Sequence, residues 1–224
     1  MSVILVVAAH PDDESLGCGG TLARHVAEGD LVHLLFLTDG VSARADAGAA
    51  ERGRRAAAAR AAAVVLGAGS PIFLDFPDNR LDSVPLLDVI RSVEAVMGTV
   101  RPDIVYTHHG GDLNVDHRIA HQAVLTAGRP LPGSAVRAIY AFESCSSTEW
   151  SSPAMGPPFV PQRFVAIDAW FERKLAALTC YAEELRPFPH ARSLEAVTAL
   201  ARLRGAAAGL GLAEGFMVIR ERVQ

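Results

Sequence analysis

Lysine is almost missing from this chain: Lys174 is the only one in 224 residues, and the other positive charges are arginines scattered among alanines. The formal charge is -4, so the sequence has no basic footprint, and nucleic acid is not an expected partner. Cysteine is scarce too. Cys18, Cys145 and Cys180 stand far apart with no Cys-x-x-Cys spacing, and an odd number cannot complete a disulfide framework within one chain, which fits a reducing compartment. No stretch reaches the roughly 18 apolar residues of a membrane span, and Met1 to Ala9 has no positive n-region. The expectation is a soluble cytoplasmic protein. Internal repeats and a linker that would cut the chain are also absent.

What the chain does have is apolar residues, which make up half of it, enough to bury a full core as one domain of ordinary size. Val3 to Ala8 is a continuous β-branched and aliphatic run of the kind buried on both faces of a parallel sheet, and Pro11 ends it. A helix is expected over Leu16 to Glu28 with Gly29 behind it, a strand over Leu31 to Thr38, a helix over Ala50 to Leu66 ending at Gly67, and a strand over Pro71 to Leu74. Apolar residues from Leu86 to Met97 mark another helix and Ile104 to Thr107 another buried strand. This rhythm predicts a Rossmann-like α/β fold, a mostly parallel sheet with helices on both faces. Residues 1–130 would form the core. Residues 131–224 would add strands at 135–143, 163–167 and 215–222, helices at 169–185 and 193–208, and an irregular rim over 144–161 long enough to act as a lid.

Two polar concentrations interrupt the apolar pattern, each directly behind a strand. The first is Ala9-His10-Pro11-Asp12-Asp13-Glu14. Open α/β sheets bind ligands at the carboxyl ends of strands, near the point where strand order reverses, and His10 falls at such an end. His10 and Asp13, three apart across a tight turn, can reach one cation, leaving Asp12 as an unliganded base; the plainer alternative is that both aspartates cap the following helix. Gly17-Cys18-Gly19-Gly20 is not a dinucleotide fingerprint, because charged residues separate it from the strand and position 22 is Leu; close packing of helix on sheet explains the small residues.

The second concentration runs from His108 to His117, with Asp116 and His117 opening a helix. His117 and His121 are four apart, but position 118 is Arg, which removes a thermolysin-like reading. His108 and His109 are expected to hold other side chains rather than a metal. If both strands end on the same side, His10, Asp13 and His117 offer two imidazoles and a carboxylate, a catalytic pattern for zinc, with Asp12 placed to take a proton from attacking water.

Ala9 to Glu14 together with Asn114-Val115-Asp116-His117 resembles the LmbE-like, or PIG-L, family of zinc-dependent N-deacetylases; Leu66-Gly67, Pro102-Asp103, Phe142-Glu143 and Ala213-Glu214-Gly215-Phe216 fall where that family has similar segments. The resemblance implies that His10, Asp13 and His117 hold Zn2+, or Fe2+ in cells, and that Asp12 is the general base. It implies that Arg55 contacts substrate, although a glutamate usual three positions later is Ala58 here. Asn114 stands where many members carry a histidine that protonates the leaving amine or stabilises the oxyanion; Asn114 can donate a hydrogen bond but supplies no proton. The implied activity is hydrolytic removal of an N-acetyl group from an amino sugar or glycoconjugate, by a homo-oligomer. The alternatives are an amidohydrolase or esterase for a non-sugar substrate, or a metal-dependent sugar-binding module without turnover.

Overall fold

The computed structural model describes residues 1–45 and 47–223; Asp46, between the strand and the helix expected at 31–38 and 50–66, and Gln224 lie outside the described residues. Seven strands form one sheet in the order β3-β2-β1-β4-β5-β7-β6, with β1 at Val3–Ala8, β2 at Leu31–Thr38, β3 at Ile72–Phe76, β4 at Ile104–His108, β5 at Ala138–Phe142, β6 at Arg163–Ala166 and β7 at Ala213–Glu221. β1 to β5 run parallel to one another, while β7 runs antiparallel between β5 and β6. Strand order reverses beside β1, which pairs with β2 on one edge and β4 on the other. That reversal opens a crevice at the carboxyl ends of β1 and β4.

Helices α1 (Asp13–Ala27), α2 (Ala49–Leu66), α3 (Leu86–Val100), α4 (Val115–Ala127), α5 (Phe171–Cys180) and α6 (Leu194–Ala208) cover both faces. One core packs α1, α2 and α5 against Ile4, Val6, Tyr106, Tyr140 and Phe216. The other packs α3 and α4 against Leu5, Val7, Val105 and Ile139. The alternation of odd and even strand positions between the two cores is the period of a sheet covered on both sides. A third cluster, Leu16, Cys145, Leu178 and Val197, seats α6.

The helix expected over 169–185 is shorter than its composition predicts: α5 stops at Cys180, and the turn at Tyr181 sends the phenol inward to donate to Glu14 Oε1 at 2.9 Å. Helix α1 is broken at Cys18, whose φ of -145° is not helical. Glu214 caps the part after the break by accepting from Gly20 N at 3.0 Å and Thr21 N at 2.7 Å. Lys174 donates to Leu16 O, a carbonyl before the break, at 2.7 Å and to Glu214 Oε1 at 2.5 Å. A buried ion pair thus splints the helix whose first residue is Asp13. The glycines serve packing, as expected: a Cβ at Gly17 would strike the Phe142 ring, and one at Gly20 would lie 2.8 Å from Ile167 Cδ1.

Candidate active site

β1 ends at Ala8, and the chain turns through His10 and Pro11 into α1. Asp12 takes a positive φ of 125°, a conformation rare for a residue with a side chain. It is held there by Glu14, whose Oε2 accepts from Asp12 N at 3.0 Å, and by its own carbonyl, which accepts from Ser15 N and Leu16 N at 3.1 and 2.9 Å. Glu14 is itself fixed by Ser15 Oγ at 2.6 Å and by Tyr181. The twist at Asp12 points consecutive carboxylates different ways: Asp13 turns to the imidazoles and Asp12 to two arginines.

On the far side of the crevice Asn114 caps α4, its Oδ1 accepting from Asp116 N at 2.8 Å, so that His117 projects from the first turn. His10 Nδ1, His117 Nε2 and Asp13 Oδ2 form a near-equilateral triangle with sides of 3.2, 3.3 and 3.3 Å. His10 Nε2 faces the carboxylates of Asp78 and Asp116 at 3.2 and 3.3 Å. Because carboxylates only accept, that nitrogen keeps its proton and Nδ1 turns a lone pair into the triangle. Asp112 Oδ1 lies 3.1 Å from His117 Nδ1, in a bent contact, and selects the same arrangement there. Asp13 Oδ1 is buried without a partner.

Three lone pairs converging on one point repel unless a cation or a proton lies among them. A tetrahedral zinc site with ligands at about 2.0–2.1 Å has ligand–ligand edges of about 3.3–3.4 Å, so the residues fit such an ion, and the carboxylates behind both imidazoles are the outer partners that ligating histidines use. Without an ion the cluster retains protons instead. Burial alone would lower both histidines, but Asp116, Asp13 and Asp78 hold His10 well above its usual range, and Asp13 and Asp112 hold His117 up at about 9. Burial would raise Asp13, but His117, His108 and His10 keep it well below the usual carboxylate range.

His108 and His109 do hold their surroundings. His108 Nε2 accepts from Ala9 N at 2.9 Å, its ring stacks on His117 with centroids 3.8 Å apart, and burial, then His117, keeps it neutral. His109 Nε2 donates to Pro157 O at 2.8 Å, tying down the 144–161 segment. That segment frames a cavity of about 340 Å³ beside His109, Gly111 and Phe159. His121 donates from Nδ1 to His108 O at 2.8 Å, far from a ligand's role.

Asp12 Oδ2 accepts from Arg192 Nη1 at 3.0 Å and lies 3.5 Å from Arg55 Nη2, while Oδ1 is buried with no partner. Burial raises the Asp12 pKa against the pull of both guanidiniums. Glu184 braces the pair, 3.0 Å from Arg55 and 3.3 Å from Arg192. Asn114 Nδ2 donates to Asn79 Oδ1 at 2.9 Å, which leaves its other N–H uncommitted. Sequence reasoning placed Glu14 and Asp112 within the two polar clusters without giving either a role, and it missed Asp78, Arg192 and Glu184 as parts of this site. Asp78 follows a strand on the same sheet end, which was a usable signal; Arg192 and Glu184 come from a distant turn with no motif.

The profile of the PIG-L family, described as GlcNAc-PI de-N-acetylase, matches residues 5–128, more than half of the chain. The protein belongs to the PIG-L family. Among its PIG-L relatives, the uncharacterized deacetylase YaiS of Escherichia coli K12 is 34% identical over 181 residues, covering 78% of this chain and 88% of YaiS. The 1D-myo-inositol 2-acetamido-2-deoxy-alpha-D-glucopyranoside deacetylase of Rhodococcus opacus is 36% identical over 152 residues, 55% of this chain and 52% of that enzyme, so the chain spans about half its length. Among solved structures, GalB, the 4-carboxy-2-hydroxymuconate hydratase of Pseudomonas putida KT2440, superposes with a TM-score of 0.79 at 27% identity over 100% of this chain and 98% of its own. The PIG-L fold thus carries both deacetylase and hydratase relatives.

Proposed function

We propose that this PIG-L chain is a metal-dependent hydrolase that removes an acetyl group from the nitrogen of an amino sugar or glycoconjugate. The observation that carries the reading is the triangle of His10 Nδ1, Asp13 Oδ2 and His117 Nε2, which suits one divalent ion with a coordination position left over. Zn2+, or Fe2+, held by those three residues would polarise the amide carbonyl and make water nucleophilic near neutral pH. Asp12 accepts the proton of the attacking water on Oδ1, the oxygen without a partner, while Arg192 keeps Oδ2 turned away. The carboxyl then returns that proton to the departing nitrogen. The uncommitted N–H of Asn114 supports the oxyanion, and Arg55, close to both Asp12 and Glu184, contacts the sugar. The support for an acetamido sugar is the family's description and the Rhodococcus opacus relative, while YaiS supports deacetylation alone. The three unpaired cysteines support a cytoplasmic location.

A second reading, addition of water to an unsaturated carboxylic acid, is favoured by the likeness to GalB and by two guanidiniums, Arg55 and Arg192, able to bind a carboxylate beside Asp12. One experiment separates them. The metal-loaded protein is assayed for acetate release from N-acetylglucosamine conjugates, simple amides and esters, and for loss of the double-bond absorbance of 2-hydroxy-muconate-type acids. Acetate from the sugars supports the proposal; turnover of the unsaturated acid alone overturns it.

A further inference from the structure

We propose that the chain carries a second binding site, for a small oxyanion, between the C-terminal half of α1 and the start of β6. A cavity of about 220 Å³ opens there, lined by Thr21, Arg24, His25, Tyr106, Arg163 and their neighbours, and it shares no residue with the cluster around Asp13. The inference is independent of the deacetylase reading.

The lining carries both signs of charge, Arg24 and Arg163 against Glu28, but once its internal pairs are made one guanidinium and one hydroxyl are left unanswered. Arg163 lies over the Tyr140 ring, 4.6 Å from its centre, and its Nε is buried without a partner. Among the described residues no carboxylate comes within ion-pair distance of it. Arg24, by contrast, is already paired with Glu28 at 2.7 Å and donates to Ala166 O at 3.3 Å. Glu28 is therefore spent on Arg24, and Asp30 on His25, whose Nδ1 donates to it at 2.8 Å. The positive charge left over is that of Arg163. Arg163 is only half-buried, so its guanidinium stays open to the cavity, where a counter-charge can pair with it.

Thr21 is the second observation. It lies in the first turn after the break at Cys18, is 1% exposed, and its Oγ1 has no partner. A buried hydroxyl without a partner is a standing cost that a ligand oxygen would remove. Next to it, Asp30 fixes His25 so that Nε2 meets the Tyr106 hydroxyl at 3.0 Å, giving the cavity a rigid polar wall. A guanidinium, a hydroxyl donor and a preset wall suit a carboxylate or a phosphate. The volume is below that of ordinary organic-ligand pockets, so the occupant is a small ion and not a sugar.

The test is calorimetric titration of the full-length protein with sodium acetate and, separately, with inorganic phosphate at constant ionic strength. Saturable binding of one ion per chain is expected, weakened about tenfold or more in Arg163→Gln, the loss of a charged hydrogen bond. Thr21→Val, which keeps the side chain's shape, is expected to weaken it as well, and Arg54→Gln, at an exposed pair with Glu183, is expected to leave it unchanged. Tighter acetate identifies a carboxylate site and tighter phosphate a phosphate site. If neither ion saturates the wild type, or if both Arg163→Gln and Thr21→Val bind as the wild type does, the proposal is overturned. Circular dichroism confirms that each variant is folded, and Thr21→Val decides alone should Arg163→Gln fail to fold.

Discussion

Replacing Lys174 with Met removes the chain's only lysine from a buried pair, and the structure sets the scale of the loss. Breaking a buried pair by removing one partner costs about 3–5 kcal/mol. The lower end applies here, because Glu214 keeps its two backbone donors, Gly20 N and Thr21 N, after the ammonium is gone. The Leu16 carbonyl, however, loses its only side-chain donor at the break in α1. About 3 kcal/mol corresponds to a fall in Tm of about 6–12 °C for a domain of this size. Scanning calorimetry at pH 7 measures it, and salt has little influence because the pair is shielded from solvent. The first turn of α1 presents Asp12 and Asp13, so metal affinity falls along with Tm. Converting Glu214 to Gln in the same chain removes the stranded charge and recovers part of the loss. A Tm within about 2 °C of wild type for Lys174→Met would refute the view that this pair splints the helix.

Asn114→Ala removes the cap of α4, about 1 kcal/mol of stability, whereas Asn114→Asp retains the cap but can no longer donate to an oxyanion; kcat is expected to fall roughly 100-fold or more in both, and full turnover in the Asp variant would remove the donor role. Gly17→Ala forces a methyl into the Phe142 ring, which packs 4.7 Å from His108, so a loss of about 1–3 kcal/mol is expected in denaturant unfolding together with weaker metal binding. Metal loading at pH 7 is expected to release protons, since nearby carboxylates hold His10 and His117 above their usual range; calorimetry in buffers of different ionisation enthalpy counts them, and no release contradicts the assignment. Because the His117 pKa is raised, its contribution to metal-free stability is full below about 6.5 and is lost as pH rises through about 9. Metal affinity rises over that window.

The parallel part of the fold could be read because β1 is an unbroken apolar run, β2 is interrupted only at His33 before Thr38, β4 opens on Ile104 and Val105, and each is followed by a helical pattern. Both polar clusters sit at strand ends, so their meeting followed from topology and the convergence of His10, Asp13 and His117 was legible. The break at Cys18 was not. It depends on Glu214, nearly two hundred residues away, supplying the cap that the local sequence lacks. The end of α5 at Cys180 was hidden for a similar reason, since helical composition continues past it and only Glu14 explains the turn. Asn114 carries a readable signal as a cap, Asn before a helix opening with Val115 and Asp116, in addition to the chemistry its position suggests. Arg192 could not have been found, because its meaning lies entirely in a contact with Asp12 across 180 residues.

The most direct test of the account pairs two neighbouring carboxylates. Asp12→Asn and Asp13→Ala are loaded with Zn2+, dialysed, and assayed for metal content and for acetate release from N-acetylated amino sugars. Asp12→Asn is expected to keep one ion per chain while losing about 10²–10⁴-fold in turnover, and Asp13→Ala to lose the ion. An Asp12→Asn protein as active as wild type, or an Asp13→Ala protein that still binds its metal stoichiometrically, would contradict the account.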